Sequence, residues 1–323
     1  MAGPDHLDAD SLSAPGGQPA LVVDAAGWRK PAVPIQAVVI GIDRAGALPA
    51  IVVDDFDLLL TSAPGAPRPW VSDTLPDRLA DAIGANPYAA TIAAEVLRLT
   101  TKLPLAEALA VESFAYSTLL GGREFARWRA ATPRGERCPP AEPLVVERDR
   151  NLLTLTLNDP GSRNAMSAPM RDALYEALAN ALDDPGRPAV ILQGAGKCFS
   201  TGGALAEFGT AKDLAEAHAV RSLHSCARAL DGLAGRATVR LHGACVGSGI
   251  EVAAAAHRRI ATPDAWFQLP ELTMGLIPGA GGTATVARAI GRHRTLWMLL
   301  SAKRIRAAQA LEWGLIDAIE DRL

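Results

Sequence analysis

Short runs of apolar residues predict a small α/β segment near the start of the chain. Because these runs are rich in β-branched residues or leucine, we predict buried strands at 36–43, 50–54 and 58–62. Residues 63–70 hold three prolines and predict a loop, and 72–85 have room for one helix. We therefore expect residues 19–85 to form a degenerate α/β segment. Residues 1–18 are polar and rich in Asp, Gly and Pro, which predicts a flexible arm.

The apolar spacing changes to that of helices after residue 86. Apolar residues recur every three or four positions without the alternation of strands, which predicts amphipathic helices at 88–101, 105–120 and 123–131. Residues 132–143 contain Pro, Gly and Arg and predict a linker. We therefore expect a helical segment over 86–132.

From Leu144 onward, strand and helix patterns alternate. The predicted strands are 152–157, 189–193, 237–241 and 259–262, and the predicted helices are 166–182, 214–233, 249–257, 282–290 and 307–313. Ser167 and Pro169 suit the N-cap and first turn of the first of these helices. This alternation predicts a mostly parallel, layered α/β domain over 144–323.

Composition narrows the class of protein. Apolar residues make up 49% of the 323 residues and charged residues 21%, which allows a substantial core and disfavours disorder. A net charge of −3 disfavours a nucleic-acid partner. The first 18 residues lack the basic and apolar regions of a signal peptide, and the apolar runs are too short for a membrane span. We therefore expect a cytoplasmic protein without a membrane partner.

The cysteines and histidines predict neither disulfides nor a metal site. The four cysteines are Cys138, Cys198, Cys226 and Cys245. They form no CxxC pair, so reduced cysteines in a cytoplasmic protein are the preferred interpretation. The histidines show no metal-ligand spacing, and we expect no bound metal.

Two glycine-rich turns and two glutamates are the candidate chemistry. The turns Cys198–Gly203 and Cys245–Gly249 each follow a predicted strand, and a turn of this kind can present backbone N–H groups to a developing negative charge. Glu251 and Glu271 each lie beside a glycine-rich turn and are suited to moving protons. Together these groups suit chemistry on a carbonyl compound through an enolate-like state.

Each of these features also has a purely structural explanation. Glycine-rich turns commonly do no more than connect a strand to a helix. A glutamate in the first turn of a helix, as predicted for Glu251, is favoured by the helix dipole. Glu271 follows Pro270 and has an alternative role as a cap or salt-bridge partner before the turn at 279–282.

Residues 144–320 resemble the enoyl-CoA hydratase/isomerase (crotonase) superfamily. The resemblance rests on motifs that occur in the family's order, at 162–165, 198–203, 247–251, 270–283 and 307–316. It implies a crotonase-like ββα superhelix, a spiral core of the α/β class. It also implies an acyl-CoA thioester as substrate, no further cofactor, and a homotrimer or a hexamer made of two trimers.

The resemblance implies a role for each matching residue. The catalytic residues would be Glu251 and Glu271, and the oxyanion hole would be the backbone N–H groups of Gly203 and Ser248. Serine replaces the usual glycine at 248, but the donor is backbone. The implied coenzyme A contacts are Arg163, Ala165 and Leu205, and the implied substrate pocket includes Phe208 and Trp266. Aromatic residues at such positions are also ordinary core residues.

Retention of both glutamates favours hydration of a 2-enoyl-CoA to a 3-hydroxyacyl-CoA. Two carboxylates can hold a water molecule, take its proton as oxygen attacks Cβ, and deliver a proton to Cα. Isomerisation, C–C cleavage and thioester hydrolysis on the same fold are the alternatives, because fold does not fix chemistry. A non-catalytic acyl-CoA-binding subunit is a further alternative.

The chain departs from the family in two places. The family's Gly-Ala-Asp is here Gly202-Gly-Ala204, and Ala206 stands where a basic residue is common, which weakens the predicted phosphate contacts. Residues 86–132 resemble the helices that usually follow the family's catalytic core. We expect this trimerisation-type segment to cover the site from the N-terminal half, through circular permutation or a degenerate duplicate. An unrelated helical appendage is the alternative.

Overall fold

A computed structural model describes residues 9–32, 35–133, 135 and 140–321. The first of its three sheets lies near the N-terminus. It is parallel, in the order β1 (Ala20–Asp24), β2 (Val38–Asp43), β3 (Leu58–Thr61) and β4 (Val71–Ser72). Alternate side chains of a strand face opposite sides of a sheet. Val38 and Ile40 accordingly join the main core, whereas Val39 joins a smaller cluster with Phe56 and Trp70.

Two predictions for this region are wrong. No strand forms at 50–54, where Val53–Asp55 is a 3₁₀ turn and Val52 is 63% exposed. Two strands of the sheet were not predicted, β1, whose short run Leu21–Val23 lies among polar residues, and the two-residue β4. Within the predicted arm, Leu12 is buried and its carbonyl accepts the Ala37 N–H, so this part packs on the sheet. Residues 1–8 of that arm lie outside the described residues.

Four helices follow the first sheet. They are α1 (Pro76–Ala85), α2 (Pro87–Thr100), α3 (Leu105–Leu120) and α4 (Arg123–Ala131). The three helices predicted over 86–132 are confirmed to within a residue or two at their ends. Helix α1 begins at Pro76 rather than at residue 72, because proline suits the first helical position and the preceding backbone is not helical.

The second sheet has six strands in the order β13-β10-β8-β7-β6-β5. Its strands are β5 (Leu144–Asp149), β6 (Leu152–Leu157), β7 (Ala189–Gly194), β8 (Ala237–Leu241), β10 (Arg258–Ala261) and β13 (Ala318–Ile319). Only the β5–β6 pair is antiparallel, as a tight hairpin. The predicted mostly parallel arrangement is therefore confirmed, with the edge strand β5 as the exception.

The third sheet has the order β12-β11-β9. Its first two strands along the chain alternate with strands of the second sheet, and this alternation is the structural repeat of the core. The strands of the third sheet are β9 (Ala244–Val246), β11 (Trp266–Gln268) and β12 (Ile305–Arg306). The chain moves from β8 in the second sheet to β9 in the third and then into α8 (Ser248–Ala253). It repeats the change of sheet from β10 to β11. This two-strand step is the ββα spiral that the sequence resemblance implies.

The remaining helices show where the sequence pattern is misleading. They are α5 (Ala168–Asp183), α6 (Leu214–Leu223), α7 (Cys226–Gly232), α9 (Gly282–Ile290), α10 (Arg292–Ser301) and α11 (Ala307–Trp313). The single helix predicted over 214–233 is two helices, because His224 leaves the helical region and Ser225 caps α7. Helix α10 was not predicted, since its buried face includes Arg292, His293 and Arg294.

The two halves of the chain share one core. Residues from β2, β3 and α2 belong to the same buried cluster as residues from β6, α9 and α10. Asp57, directly before β3, is buried, and its carboxylate lies 2.5 Å from Arg98 of α2 and 3.7 Å from Arg292 of α10. The helical segment is therefore packed between the first sheet and the catalytic core rather than appended to it.

Cys198, Cys226 and Cys245 are buried free thiols, and Cys138 lies outside the described residues. None of the helices in the described ranges combines the length and apolarity that crossing a membrane requires.

Candidate active site

Glu251 is fixed by a loop that precedes α9. It lies in α8, which begins directly after Gly247, and its side chain is buried. Its Oε2 accepts the backbone N–H groups of Ala280 at 2.7 Å and Gly282 at 3.1 Å. The loop 279–282 therefore fixes Oε2 of Glu251 through two backbone donors.

Glu271 faces the same glycine as Glu251. It begins the 3₁₀ turn Glu271–Met274 and is buried. A Cβ atom added to Gly247 would lie 2.7 Å from Oε1 of Glu271 and 3.8 Å from Oε1 of Glu251. Oε2 of Glu271 is buried and has no hydrogen-bond partner among the described residues. The two carboxylates thus converge above Gly247, whose φ of +49° also favours glycine.

A third glutamate, Glu112 of α3, was not predicted to be part of the site. Its carboxylate accepts the N–H groups of Gly281 at 2.6 Å and Thr283 at 2.7 Å, and the Thr283 hydroxyl at 2.6 Å. Glu112 and Glu251 therefore bind alternate N–H groups of one loop. The sequence does hold a feature that could have identified Glu112. It is a glutamate at a position where the helical spacing from Leu105 and Ala108 predicts an apolar side chain.

Burial makes all three carboxyl groups bind protons more tightly than usual. Burial raises the pKa of Glu251 to about 7, although the hydrogen bonds from the 279–282 loop act in the opposite direction. It raises the pKa of Glu112 to about 8, with the charge of Glu251 adding to the effect. The pKa of Glu271 is raised well above its ordinary value by burial and then by Glu251. Such shifts are typical of groups that transfer protons near neutral pH.

Two backbone N–H groups lie beside these acids without acceptors. The turns that carry them are adjacent because the Val246 N–H donates to the Ser200 carbonyl at 3.0 Å. Among the described residues, neither the Gly203 N–H nor the Ser248 N–H donates a hydrogen bond. A side chain at Gly203 would force the Phe208 ring to move, since a Cβ there would lie 2.6 Å from that ring.

One cavity of about 440 Å³ brings most of the predicted site together. The predicted residues that line it are Gly203, Phe208, Ser248, Glu251 and Glu271. Polar N–H groups, carboxylates and aromatic surface in one concave pocket are the features expected of a small-molecule site. Within the described ranges, no group of His, Cys, Asp and Glu side chains has the arrangement of a metal site.

Four predicted residues do not line this cavity. Arg163 lies in a left-handed turn, and its carbonyl accepts the Thr201 N–H. The Ala165 N–H donates to Ser162, and Leu205 is 45% exposed on the surface. Trp266 was predicted to line the substrate pocket, but its ring lies in β11 under the Arg304 guanidinium, 4.0 Å away. The structure therefore does not bring Trp266 to the cavity.

The N-terminal helices contact the turn that carries Glu271 and the loop that binds Glu251. Asn86 donates to the Leu272 carbonyl at 2.9 Å, beside Glu271, and Thr100 donates to the Thr283 carbonyl at 2.8 Å. The Tyr116 ring of α3 lines the cavity and lies 2.7 Å from the position of a Cβ on Gly279. The helical segment therefore forms one wall of the candidate active site.

The chain is similar to curated enzymes over its second half. It is 33% identical over 176 residues to the 2,3-dehydroadipyl-CoA hydratase of Escherichia coli, covering 54% of this chain and 68% of that one. It is 33% identical over 180 residues to the alpha subunit of a Shewanella fatty acid oxidation complex. The match covers 54% of this chain but spans only about a quarter, 26%, of that subunit.

Solved structures share the same core. An enoyl-CoA hydratase from Thermoplasma volcanium matches with a TM-score of 0.51 at 27% identity, over 56% of this chain and 73% of that one. One from Bacillus anthracis matches with a TM-score of 0.51 at 28% identity, over 55% and 70%. The model of the enoyl-CoA hydratase/isomerase family matches residues 147–322, more than half of the chain. The protein therefore belongs to the enoyl-CoA hydratase/isomerase family, within the crotonase superfamily.

Proposed function

We propose that the protein adds water to a 2-enoyl-CoA and forms a 3-hydroxyacyl-CoA. The observation that carries this proposal is the convergence of Glu251 and Glu271 above Gly247, in the cavity where two N–H groups lack acceptors. Family membership supplies the acyl-CoA class of substrate, and the E. coli relative is itself a hydratase.

In this mechanism, the thioester oxygen accepts hydrogen bonds from the N–H groups of Gly203 and Ser248. Attack at Cβ places negative charge on that oxygen, and the two fixed donors stabilise it. A single preorganised donor of this kind typically lowers the barrier by about 3 kcal/mol. Because both donors are backbone groups, a serine at 248 can serve as well as a glycine.

The environments of the two glutamates suggest their roles. Glu251 has two N–H donors that favour its ionised form, which suits the base that takes a proton from water. Glu271 lacks a partner for Oε2, and burial raises its pKa well above the ordinary value, which suits the acid that protonates Cα. General acid–base assistance of this kind contributes about 10²–10⁴-fold in rate.

The remaining contacts are proposed from the family resemblance. The coenzyme A portion would lie along Arg163, Ala165 and Leu205, outside the cavity, and the acyl portion would enter it beside Phe208. No cofactor takes part in this mechanism. A homotrimer or a hexamer remains our expectation for the assembly, and sedimentation equilibrium measures it directly.

The proposal is tested by incubating the protein with enoyl-CoAs of several chain lengths and following the loss of enoyl absorbance. Glu251→Gln and Glu271→Gln should each lower kcat by at least about 10²-fold. The matched control is Glu124→Gln, because Glu124 is also buried and also binds two backbone N–H groups, those of Tyr88 and Ala89. Equal activity of both site variants and the wild type would exclude the two-acid mechanism.

The same assay separates the alternative functions. Movement of the double bond, release of a shortened acyl-CoA, or release of free coenzyme A would identify an isomerase, a lyase or a hydrolase. Binding of coenzyme A esters without any turnover would identify a non-catalytic subunit. Mass spectrometry separates the hydrated, shortened and hydrolysed products, and chromatography against a 3-enoyl-CoA standard identifies the isomer, which has the mass of the substrate.

A further inference from the structure

Arg221 brings a partly buried positive charge to the wall of the active-site cavity. It lies in α6 and lines the cavity that holds Glu251 and Glu271. Its Nε donates to the Ser113 hydroxyl at 3.0 Å, and its Nη2 donates to the Ser117 hydroxyl at 2.5 Å. These bonds fix the guanidinium plane against the Tyr116 ring, 4.7 Å from the ring centre.

The charge of Arg221 is not neutralised by an ion pair. Among the described residues, no carboxylate oxygen lies within 4.0 Å of it, and its Nη1 donates no hydrogen bond. Burial lowers the pKa of Arg221, Tyr116 and Glu112 oppose that effect, and the charge of Arg171 adds to it. A partly buried guanidinium without an ion pair is stabilised most by an anion that accepts hydrogen bonds from its free N–H groups.

The position of Arg221 suits a contact with the acyl chain of the substrate rather than with its thioester. The Tyr116 ring contacts Gly279, in the loop that holds Glu251, and Arg221 stacks on that ring. A second cavity of about 80 Å³ adjoins this wall and is also lined by Arg221 and Arg171. Ser222 in that cavity has a buried hydroxyl with no partner among the described residues. The wall beyond Tyr116 is largely apolar and also includes Glu112, so Arg221 and the Ser222 hydroxyl are the groups in it that can pair with a polar chain end.

We infer that the preferred substrate is an enoyl-CoA whose acyl chain ends in a carboxylate, which Arg221 binds. Arginine recognises a carboxylate through parallel N–H···O bonds, and its rigid fork gives specificity as well as affinity. Arg171, whose Nε and Nη2 already bind Asp172, adds positive charge to the same wall. This inference rests on the proposed hydratase function and specifies its substrate class.

The kinetic test compares two six-carbon substrates that differ only at the chain end. The measured quantity is the ratio of kcat/KM for hex-2-enedioyl-CoA to that for hex-2-enoyl-CoA. The wild type should favour the diacid, and Arg221→Met should lower the ratio by about 100-fold, the scale of losing one partner of a buried charged pair. The ratio cancels any general loss of activity. The control is Arg123→Met, because Arg123 stacks on Tyr88 at 4.8 Å but does not line this cavity.

An unchanged ratio in Arg221→Met, or a wild type that favours the alkyl substrate, would overturn the inference and leave the hydratase proposal intact. If neither substrate is hydrated, the hydratase proposal fails, and calorimetry with saturated esters tests the inference separately. Hexanedioyl-CoA should then bind the wild type more tightly than hexanoyl-CoA, and Arg221→Met should remove the difference. Equal weakening of both esters would assign Arg221 to the coenzyme A portion or to folding, against the inference.

Discussion

Glu112 and Glu251 share one loop, and each accepts alternate backbone N–H groups from it. Glu251 binds the N–H groups of Ala280 and Gly282, and Glu112 binds those of Gly281 and Thr283. Four consecutive donors at the start of α9 are therefore satisfied by two carboxylates from different parts of the chain. The N-terminal half thus fixes the position of a proposed catalytic acid that belongs to the family core.

This arrangement predicts that Glu112→Gln shifts the pH dependence of catalysis. An amide places N–H groups against backbone donors, so we expect kcat to fall by about tenfold as Glu251 loses its fixed geometry. The charge of Glu112 contributes to raising the pKa of Glu271, so removing it lowers that pKa. Because the proposed acid must be protonated, the basic limb of the pH–kcat/KM profile should move to lower pH.

Glu124→Gln is the matched control for this experiment. Its carboxylate is buried and binds backbone N–H groups at the start of α2, so a general loss of stability should be similar. The pH profile of this control should keep its wild-type midpoint. An identical profile for Glu112→Gln and the wild type would show that Glu112 acts only in folding.

Gly247→Ala should inactivate the protein while it remains folded. The added Cβ would lie 2.7 Å from Oε1 of Glu271, at a φ of +49° that strains any residue other than glycine. Displacement of a reacting group by about 1 Å lowers rates by about 100-fold, and we expect a loss of that size in kcat.

The control is Gly84→Ala in α1, where no atom lies within 4 Å of the added Cβ. It should leave kcat unchanged and raise the free energy of unfolding by about 0.5–1 kcal/mol. Circular dichroism checks folding in both variants. Near-normal kcat in Gly247→Ala would argue against the convergence of the two acids at this glycine.

Glu271→Gln should be increasingly stable, relative to the wild type, as pH rises from 5 to 8. The folded-state pKa of Glu271 is raised above 4.5, so the stability that its protonated form provides is fully present below pH 4.5 and is lost as pH rises. Each unit of pKa shift corresponds to about 1.4 kcal/mol. Because glutamine does not titrate, the variant does not lose this stability as pH rises.

Urea unfolding at pH 5, 6.5 and 8 measures the difference between this variant and the wild type. His293 has its pKa lowered to about 4 by burial and contributes an opposite trend at the acidic end, which cancels in the difference. A difference that is constant with pH would mean that Glu271 ionises normally in the folded protein.

Arg98→Met should loosen the first sheet from the helices. It leaves the buried carboxylate of Asp57 with the Val39 N–H and the more distant Arg292, 3.7 Å away. Breaking a buried ion pair by removing one partner costs about 3 kcal/mol. The exposed pair of Lys102 with Asp54 provides the control, and Lys102→Met should change stability by less than about 0.5 kcal/mol. Equal effects in urea unfolding would contradict the anchoring role of Asp57.

Much of the fold and part of the site were predictable from local patterns. The helices of 86–132 and the strand at 152–157 follow from apolar spacing, and the short motifs located Glu251 and Glu271. The predictions failed where packing overrides pattern. The apolar residues at 50–54 remain outside the sheet, and α10 buries arginines whose charges the sequence assigns to the surface.

The sequence by itself determined the periodic elements, the glycine turns and the two candidate acids, because these depend on spacing along a few residues. Only the tertiary structure decided which groups meet in the cavity. Glu112 lies 169 positions before its partner Gly281, and Arg221 meets Tyr116 from another helix. Such contacts arise when buried faces pack together, and no local pattern specifies which polar group the packing will bring to a buried loop.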